Sequence, residues 1–185
     1  MSDISIQRTS LKTISKSDLE SQYALLIHAY AETEREIWGE NYVRVSLEEY
    51  KQDIEKEIVF TAKLADEVVG TILLAPMGER VFSFGLLAVD FSKKGYGIGR
   101  ALIKKAEQTA IELGGLVMKI EILKPKNQHV QFKQQLAEWY ERQGYEFTFS
   151  KSFIELKPAK VEKAKELKTE AVFDCYEKKL NSLSL

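Results

Sequence analysis

The sequence predicts an α/β fold, and three observations support this prediction. Residues 58–90 contain three apolar, extended segments separated by short turns, which is the pattern of antiparallel strands. Amphipathic helical patterns lie on both sides of this region. A glycine-rich turn joins the last of the three strands directly to a helix, so strands and helices are expected to share one core.

The N-terminal segment is predicted to form one strand and two helices. Ile4 and Ile6 alternate with polar residues, as in a strand with one buried face. Residues 17–20, Ser-Asp-Leu-Glu, match a helix capping box, and we expect the helix to begin near residue 18. A second capping box at residues 46–49 predicts another helix.

The predicted strands of the middle region span residues 58–64, 68–75 and 81–89, with turns at 65–67 and 76–80. The short connections favour antiparallel pairing.

Helices and strands alternate in the C-terminal half. Apolar residues at helical spacing over 98–113 end at two glycines, and a strand is predicted over 116–123. A second helix is predicted over 132–143. The last strands are predicted over 145–149 and 171–177, on either side of a Lys/Glu-rich segment.

Composition restricts the class of protein. The 185-residue chain is 44% hydrophobic and 30% charged, and it shows neither a repeat nor a linker, so we expect a single domain over residues 1–185. The formal net charge of −1 favours neither nucleic acid nor an anionic membrane as a partner. We expect a monomer or a homodimer.

Targeting segments, cysteines and histidines give expectations for the cellular compartment and for metal binding. No secretory signal or membrane span is recognised, so a cytoplasmic location is expected. Cys175 is the only cysteine, which excludes an intramolecular disulfide and a thiolate cluster. His28 and His129 are isolated in sequence, and no metal site is expected.

The glycine-rich turn has the features of a phosphate-binding loop. Three alternate glycines at residues 95–99 allow the backbone to approach a ligand closely. A helix that begins here presents unpaired N–H groups and the positive end of its dipole. Lys93, Lys94 and Arg100 add positive charge. The turn is therefore predicted to bind a pyrophosphate.

Two familiar phosphate-binding loops do not match this spacing. A P-loop requires Gly-Lys followed by Ser or Thr, whereas Gly99 is followed by Arg100 and Ala101. The dinucleotide fingerprint requires glycine at the first, third and sixth places. Counted from Gly95 the sixth residue is Arg100, and counted from Gly97 it is Leu102.

The turn resembles the pyrophosphate loop of the GCN5-related N-acetyltransferase (GNAT) superfamily, Arg/Gln-x-x-Gly-x-Gly/Ala. Lys94 stands at the Arg or Gln place, and Gly97 and Gly99 stand at the glycine places. Residues 136–145, Leu-Ala-Glu-Trp-Tyr-Glu-Arg-Gln-Gly-Tyr, are similar to the superfamily's helix-four signature, Tyr-Glu-x-x-Gly-Phe/Tyr. The order of predicted elements extends the resemblance to nearly the whole chain.

The resemblance implies a mixed central sheet of about seven strands flanked by about four helices. The N-terminal part of the sheet is expected to be antiparallel, and its fourth and fifth strands are expected to splay apart. It also implies acetyl-CoA as cosubstrate, with no metal. The acetyl and pantetheine arm is expected beside Leu87, Ala88 and Val89. The expected pyrophosphate loop comprises Lys94, Gly95, Tyr96, Gly97, Ile98, Gly99 and Arg100.

Tyr140, in the second motif, is the predicted catalytic residue. Acetyl transfer from a thioester expels a thiolate, and a phenol beside the sulfur can donate a proton to it. The resemblance implies this general-acid role, while the alternative is a packing role beside Trp139.

No single carboxylate is predicted to be the general base. Strand 81–89 contains no acid, and Asp90 is expected to shape the turn that follows it. Glu34, Glu36 and Glu40 lie in the segment expected to line the acceptor site.

The predicted function is acetyl-CoA-dependent N-acetyl transfer to a primary amine, by direct attack in a ternary complex. The acceptor is expected to be a small molecule or a peptide, and no motif selects between them. The alternative is a catalytically silent acyl-CoA-binding module with a regulatory or interaction role. A protein that binds the cofactor and acetylates no amine would be such a module.

Overall fold

The computed structural model describes residues 3–181, which contain a seven-stranded mixed sheet. The strands are β1 (Ile4–Arg8), β2 (Ile58–Leu64), β3 (Glu67–Gly78), β4 (Val81–Val89), β5 (Val117–Pro125), β6 (Glu146–Ser152) and β7 (Ala171–Lys179). Their order across the sheet is β1-β2-β3-β4-β5-β7-β6. In this part of the chain β4 and β5 pair in parallel and every other neighbouring pair is antiparallel. The predicted mixed sheet is confirmed.

Helices cover both faces of this sheet. They are α1 (Lys16–Thr33), α2 (Arg35–Trp38), α3 (Leu47–Lys56), α4 (Ile98–Glu112), α5 (Gln131–Glu141), α6 (Phe153–Leu156) and α7 (Val161–Ala164). Residues of α4 and α5 share one hydrophobic core with the sheet, and residues of α1 and α3 share another. The four longer helices, α1, α3, α4 and α5, are those predicted. Between residues 3 and 181 no helix is both long and apolar enough to traverse a bilayer.

The first helix begins two residues earlier than the sequence predicts. Ser15, not Ser17, is its N-cap, and the Ser15 hydroxyl accepts a hydrogen bond from the backbone N–H of Asp18 at 3.0 Å. This start places Asp18 in the first turn, where its charge complements the helix dipole, and its carboxylate contacts Lys63 Nζ at 2.6 Å. The predicted capping box at residues 46–49 is confirmed.

A glycine in β3 sets the distance between α4 and the sheet. A Cβ atom at Gly70 would lie 2.9 Å from Leu102 and 3.0 Å from Ile98. Both of those α4 side chains are fully buried. Because Gly70 leaves this space free, the first turns of α4 pack directly on β3, next to the end of β4.

A buried polar network joins α1 and α3 to the sheet. Gln22 is fully buried, and its Nε2 donates hydrogen bonds to Tyr50 Oη at 2.8 Å and to Thr71 Oγ1 at 2.9 Å. Thr61 Oγ1 donates to Gln22 Oε1 at 2.6 Å. One side chain therefore links α1 to α3, β2 and β3. An apolar pattern does not predict such a position, because the residue that fills it is polar.

We predict that Gln22→Leu lowers the free energy of unfolding by about 2–3 kcal/mol, because the buried hydroxyls of Tyr50, Thr61 and Thr71 each lose a hydrogen-bond partner. Urea unfolding followed by circular dichroism measures the change. Gln52→Leu, at an exposed position of α3, is the matched control and should change stability by less than about 0.5 kcal/mol. Equal effects of the two substitutions would contradict a structural role for the network.

Candidate active site

The site lies where β4 and β5 separate. The two strands pair only over residues 81–83 and 117–119. Beyond these rungs β4 continues beside β3, and β5 continues beside β7. The predicted splay is confirmed, and it opens a cleft of about 1400 Å³ between the strands. Backbone groups of β4 that would have paired with β5 are available to a ligand.

A β-bulge bends β4 at the cleft. The pairing register of β4 with β3 shifts between Thr71 and Leu73, so one residue of β3 faces both Leu86 and Leu87. Leu86 has φ +47°, a conformation that is uncommon for a residue other than glycine. Its side chain belongs to the core under α1 and α3, whereas Leu87 packs against the core under α4. The bulge therefore interrupts the regular ladder beside the cleft.

Nearly all of the sequence-predicted site residues line this cleft. They are Leu87, Ala88, Val89, Lys94, Gly95, Gly97, Ile98, Gly99, Arg100 and Tyr140. Tyr96 is the exception, because it is 58% exposed and is not part of the cleft wall. The Ile98 side chain is buried in the core, so this residue can offer only its backbone to a ligand.

The glycine turn has the geometry of an anion site. Gly95 and Gly97 have φ +90° and +79°, and the positions of their missing Cβ atoms face open space. The first backbone hydrogen bond of α4 runs from the N–H of Ala101 to the carbonyl of Gly97. The N–H groups of Ile98 and Gly99 therefore have no partner within the helix. They point, with the helix dipole, towards the loop.

Gly99 has a different role in the same loop. A Cβ atom here would lie 3.3 Å from the ring of Trp139 and 3.7 Å from Val89. The missing side chain lets α5 approach α4 closely. This approach brings Tyr140, which follows Trp139, into the wall of the cleft.

Asp90 shapes the turn, as predicted. Its carboxylate accepts a hydrogen bond from the N–H of Ser92 at 2.8 Å, and its own N–H donates to Val69 at 2.9 Å. Lys93 forms an ion pair with Glu67 at 3.6 Å, while Lys94 is exposed at the loop.

Tyr140 is buried among aromatic rings. Its ring centroid lies 6.0 Å from that of Phe84, 5.1 Å from Trp139 and 5.8 Å from Tyr145. Burial raises the pKa of its hydroxyl well above the ordinary value, and the nearby Tyr30 adds to this shift. No hydrogen bond within residues 3–181 engages the hydroxyl. The phenol therefore keeps its proton and can donate it to a ligand.

The three candidate carboxylates of the first helices separate in the structure. Glu34 is buried and lines the cleft, where its carboxylate accepts a hydrogen bond from Trp38 Nε1 at 3.1 Å and lies 3.5 Å from Lys133 Nζ. Glu36 lines a separate pocket of about 520 Å³, and Glu40 is exposed.

Burial lowers the pKa of Lys133 although Glu34 opposes this shift. Such a buried pair is stable only while both partners are present.

Among the cleft residues that were not assigned to the site from sequence are Arg44, Asp53 and Lys160. Burial and then the charge of Glu49 raise the pKa of Asp53, which suits a carboxylate that accepts protons. No local motif marks these positions, because they come from separate segments that only the fold brings together.

The chain has recognisable relatives. The sequence model of the acetyltransferase (GNAT) domain matches residues 55–147. No curated protein is significantly similar in sequence to the chain.

Many solved structures share the fold. The paia N-acetyltransferase from Thermoplasma acidophilum, in complex with coenzyme A, is 17% identical with a TM-score of 0.69, and the alignment covers 96% of this chain and 99% of that one. A GNAT family acetyltransferase from Elizabethkingia anophelis with acetyl-CoA bound is 18% identical with a TM-score of 0.66, covering 97% and 100%. The ribosomal-protein-alanine N-acetyltransferase from Brucella melitensis is 19% identical with a TM-score of 0.65, covering 95% and 99%.

We predict that Lys133→Met lowers the free energy of unfolding by about 3–5 kcal/mol, because it leaves the buried Glu34 charge without its cation. Adding Glu34→Gln should restore more than half of the loss, since the side chain can still accept from Trp38. Chemical denaturation of the two variants measures both values. Lys126→Met, which breaks the exposed ion pair with Glu170, is the control and should cost less than about 1 kcal/mol. A double variant as unstable as Lys133→Met would argue against the pair.

Proposed function

Because the chain belongs to the GNAT acetyltransferase family and is an acyltransferase, we propose that it transfers acetyl from acetyl-CoA to a primary amine by direct attack in a ternary complex. One observation carries this proposal. The cleft between β4 and β5 combines a phosphate-type loop, a bulged strand with free backbone groups and a protonated phenol.

The residues of the cleft fit acetyl-CoA as substrate. The N–H groups at the start of α4 suit its pyrophosphate, and Lys94 and Arg100 add positive charge at the same place. The backbone of residues 87–89 suits the pantetheine arm, since it can form strand-like hydrogen bonds with an amide-containing chain. The binding of acetyl-CoA or coenzyme A by structures of the same fold supports this assignment.

The proposed reaction is one displacement at the thioester carbon. The neutral amine attacks the carbonyl, a C–N bond forms, and the C–S bond breaks with its electron pair remaining on sulfur. Backbone N–H groups at the β4 bulge polarise the carbonyl oxygen as negative charge develops on it. Tyr140 donates its proton to the departing sulfur, and the proton released by the amine replaces it.

Direct attack is supported by the position of Cys175. The thiol lies on β7 in a hydrophobic cluster and does not line the cleft. Burial raises its pKa, which lowers the fraction of reactive thiolate. Cys175 is therefore poorly suited to form an acyl-enzyme intermediate, because its thiol is not ionised and does not lie in the cleft.

We predict that Tyr140→Phe lowers kcat by about 100-fold or more with little change in the KM for acetyl-CoA, because only the proton donor is lost. Steady-state release of free CoA thiol measures both constants. Tyr176→Phe is the matched control, since Tyr176 belongs to the same core but not to the cleft wall, and it should leave kcat unchanged. Equal turnover by Tyr140→Phe and the wild type would indicate a packing role.

We predict that Gly97→Ala raises the Kd for acetyl-CoA at least about tenfold, because the added Cβ projects into the open space over the loop where the pyrophosphate would bind. Isothermal titration calorimetry measures the Kd. Gly114→Ala is the control. Gly114, two residues beyond the end of α4, has φ +85° and also faces open space. Its replacement by alanine should therefore cause the same backbone strain at a position away from the proposed ligand. Equal losses in both variants would contradict the assignment of the loop.

A panel of primary amines tests the reaction itself. Transfer of acetyl to at least one amine, abolished by omission of acetyl-CoA, is the expected result. A protein that binds acetyl-CoA and acetylates none of the panel would contradict the proposal and support the acyl-CoA-binding module.

A further inference from the structure

One end of the cleft, which we call the acceptor end, is formed by Tyr42, Arg44, Asp53 and Lys160. These residues come from the segment before α3, from α3 itself and from the turn before α7. None belongs to the loop at the start of α4. The acceptor end is therefore built independently of the loop assigned to the pyrophosphate.

Two cations of the acceptor end lack a carboxylate partner. Three neighbouring cleft cations are paired: Lys157 with Glu121 at 2.6 Å, Lys133 with Glu34 at 3.5 Å and Lys163 with Glu166 at 3.2 Å. In the part of the chain that the structure describes, neither Arg44 nor Lys160 has a carboxylate within ion-pair distance. Arg44 instead lies over the ring of Tyr30, 5.6 Å from its centroid.

The two cations also crowd one another. Burial lowers the pKa of Lys160, and the charges of Arg44, Lys157 and Lys163 lower it further. The carboxylates that act on these cations lie beyond ion-pair distance: Glu34 for Arg44, Glu121 for Lys160, and Asp53, whose pKa both cations lower. An anion bound between Arg44 and Lys160 would relieve the repulsion between them.

A buried hydroxyl lies beside the Arg44 guanidinium. Tyr42 Oη is fully buried and has no hydrogen-bond partner of ordinary distance and angle among the described residues, but Arg44 is close enough to lower the pKa of this hydroxyl. Two contacts hold the Tyr42 ring in position. It stacks on the Trp38 ring with the two centroids 5.0 Å apart, and Lys163 Nζ lies 4.8 Å from the centroid of the Tyr42 ring. Buried polar groups are nearly always hydrogen-bonded, so the hydroxyl beside Arg44 is a candidate donor to a ligand that Arg44 binds.

We propose that Arg44, Lys160 and the Tyr42 hydroxyl bind the carboxylate of the acceptor, so that the acceptors of this enzyme are amines that carry a carboxylate, such as amino acids. This inference rests on the proposed acetyl transfer. A guanidinium supplies a planar pair of donors that matches a carboxylate, and the ammonium and phenol supply the remaining hydrogen bonds.

The position relative to Tyr140 supports an acceptor rather than a cofactor phosphate. Tyr30 is close enough to Tyr140 to raise its pKa, and Arg44 lies on the ring of Tyr30. One aromatic ring therefore separates the proposed carboxylate site from the proposed proton donor.

The experiment compares acceptors in matched pairs, each an amino acid and the amine that remains when its carboxylate is removed. Glycine with methylamine, phenylalanine with phenethylamine and 4-aminobutyrate with propylamine vary the distance between amine and carboxylate. For at least one pair we expect kcat/KM to be about tenfold or more higher for the amino acid. Equal values within every pair would overturn the inference.

Charge-removing variants test the residues. Arg44→Gln and Lys160→Gln should each reduce the preference for the amino acid, which is the ratio of its kcat/KM to that of the matched amine, about tenfold or more. Lys104→Gln, which removes an exposed charge on α4 outside the cleft, should leave the preference unchanged. A preference that survives in both site variants would also overturn the inference.

Two further readouts separate this inference from the proposed function. The Kd for acetyl-CoA should be unchanged in Arg44→Gln and Lys160→Gln, which also shows that the variants are folded. A higher Kd in both would assign the cations to a phosphate of the cofactor instead and would overturn the inference. Transfer to the simple amines without any preference for amino acids would leave the acetyltransferase proposal intact and refute only the carboxylate site.

Discussion

The short parallel contact between β4 and β5 is the constraint on which the rest of the site depends. Pairing over three residues of each strand holds the two halves of the sheet together, and its early end opens the cleft. A parallel pair cannot be joined by a tight turn, so the chain crosses over through α4. This crossover begins at the end of β4, which places the unpaired N–H groups of a helix start at the mouth of the cleft. Cleft and anion site thus arise from one topological requirement.

The bulge in β4 and the network at Gln22 support each other across the sheet. Leu86 occupies a conformation that is unfavourable for a leucine, and such a residue persists only where its surroundings hold it. Its side chain packs in the core beneath α1 and α3, and Gln22 ties both of these helices to β2 and β3 through Tyr50, Thr61 and Thr71. The polar network therefore stabilises the helices that fix the bulge.

Local patterns were sufficient for the fold and for finding the residues that line the cleft around the glycine turn. The predicted ends of strand β4 agree with the observed ones, because buried and half-buried residues alternate at consecutive positions of the strand. The glycine turn and Tyr140 were recognised because each lies in a short motif. The predicted start of α1 was wrong, since Ser15 and Ser17 are both suitable caps, and in the structure the Ser15 hydroxyl accepts from the N–H of Asp18. Gln22, Arg44 and Lys160 could not be predicted, because their roles come from residues far away in sequence.

This difference has a physical origin in the two kinds of binding that we propose for the cleft. The proposed donor end relies on backbone N–H groups, which require glycines and a helix start at fixed spacing, and such a requirement leaves a motif. The proposed acceptor end relies on side chains of Tyr42, Arg44 and Lys160, which come from two segments that are distant in sequence. A charge or hydroxyl can be supplied from many positions around the rim without changing the backbone beneath it. Under the proposed function, specificity for the acceptor can therefore change while the loop and Tyr140 stay in place, and the proposal for the acceptor depends on the assembled cleft.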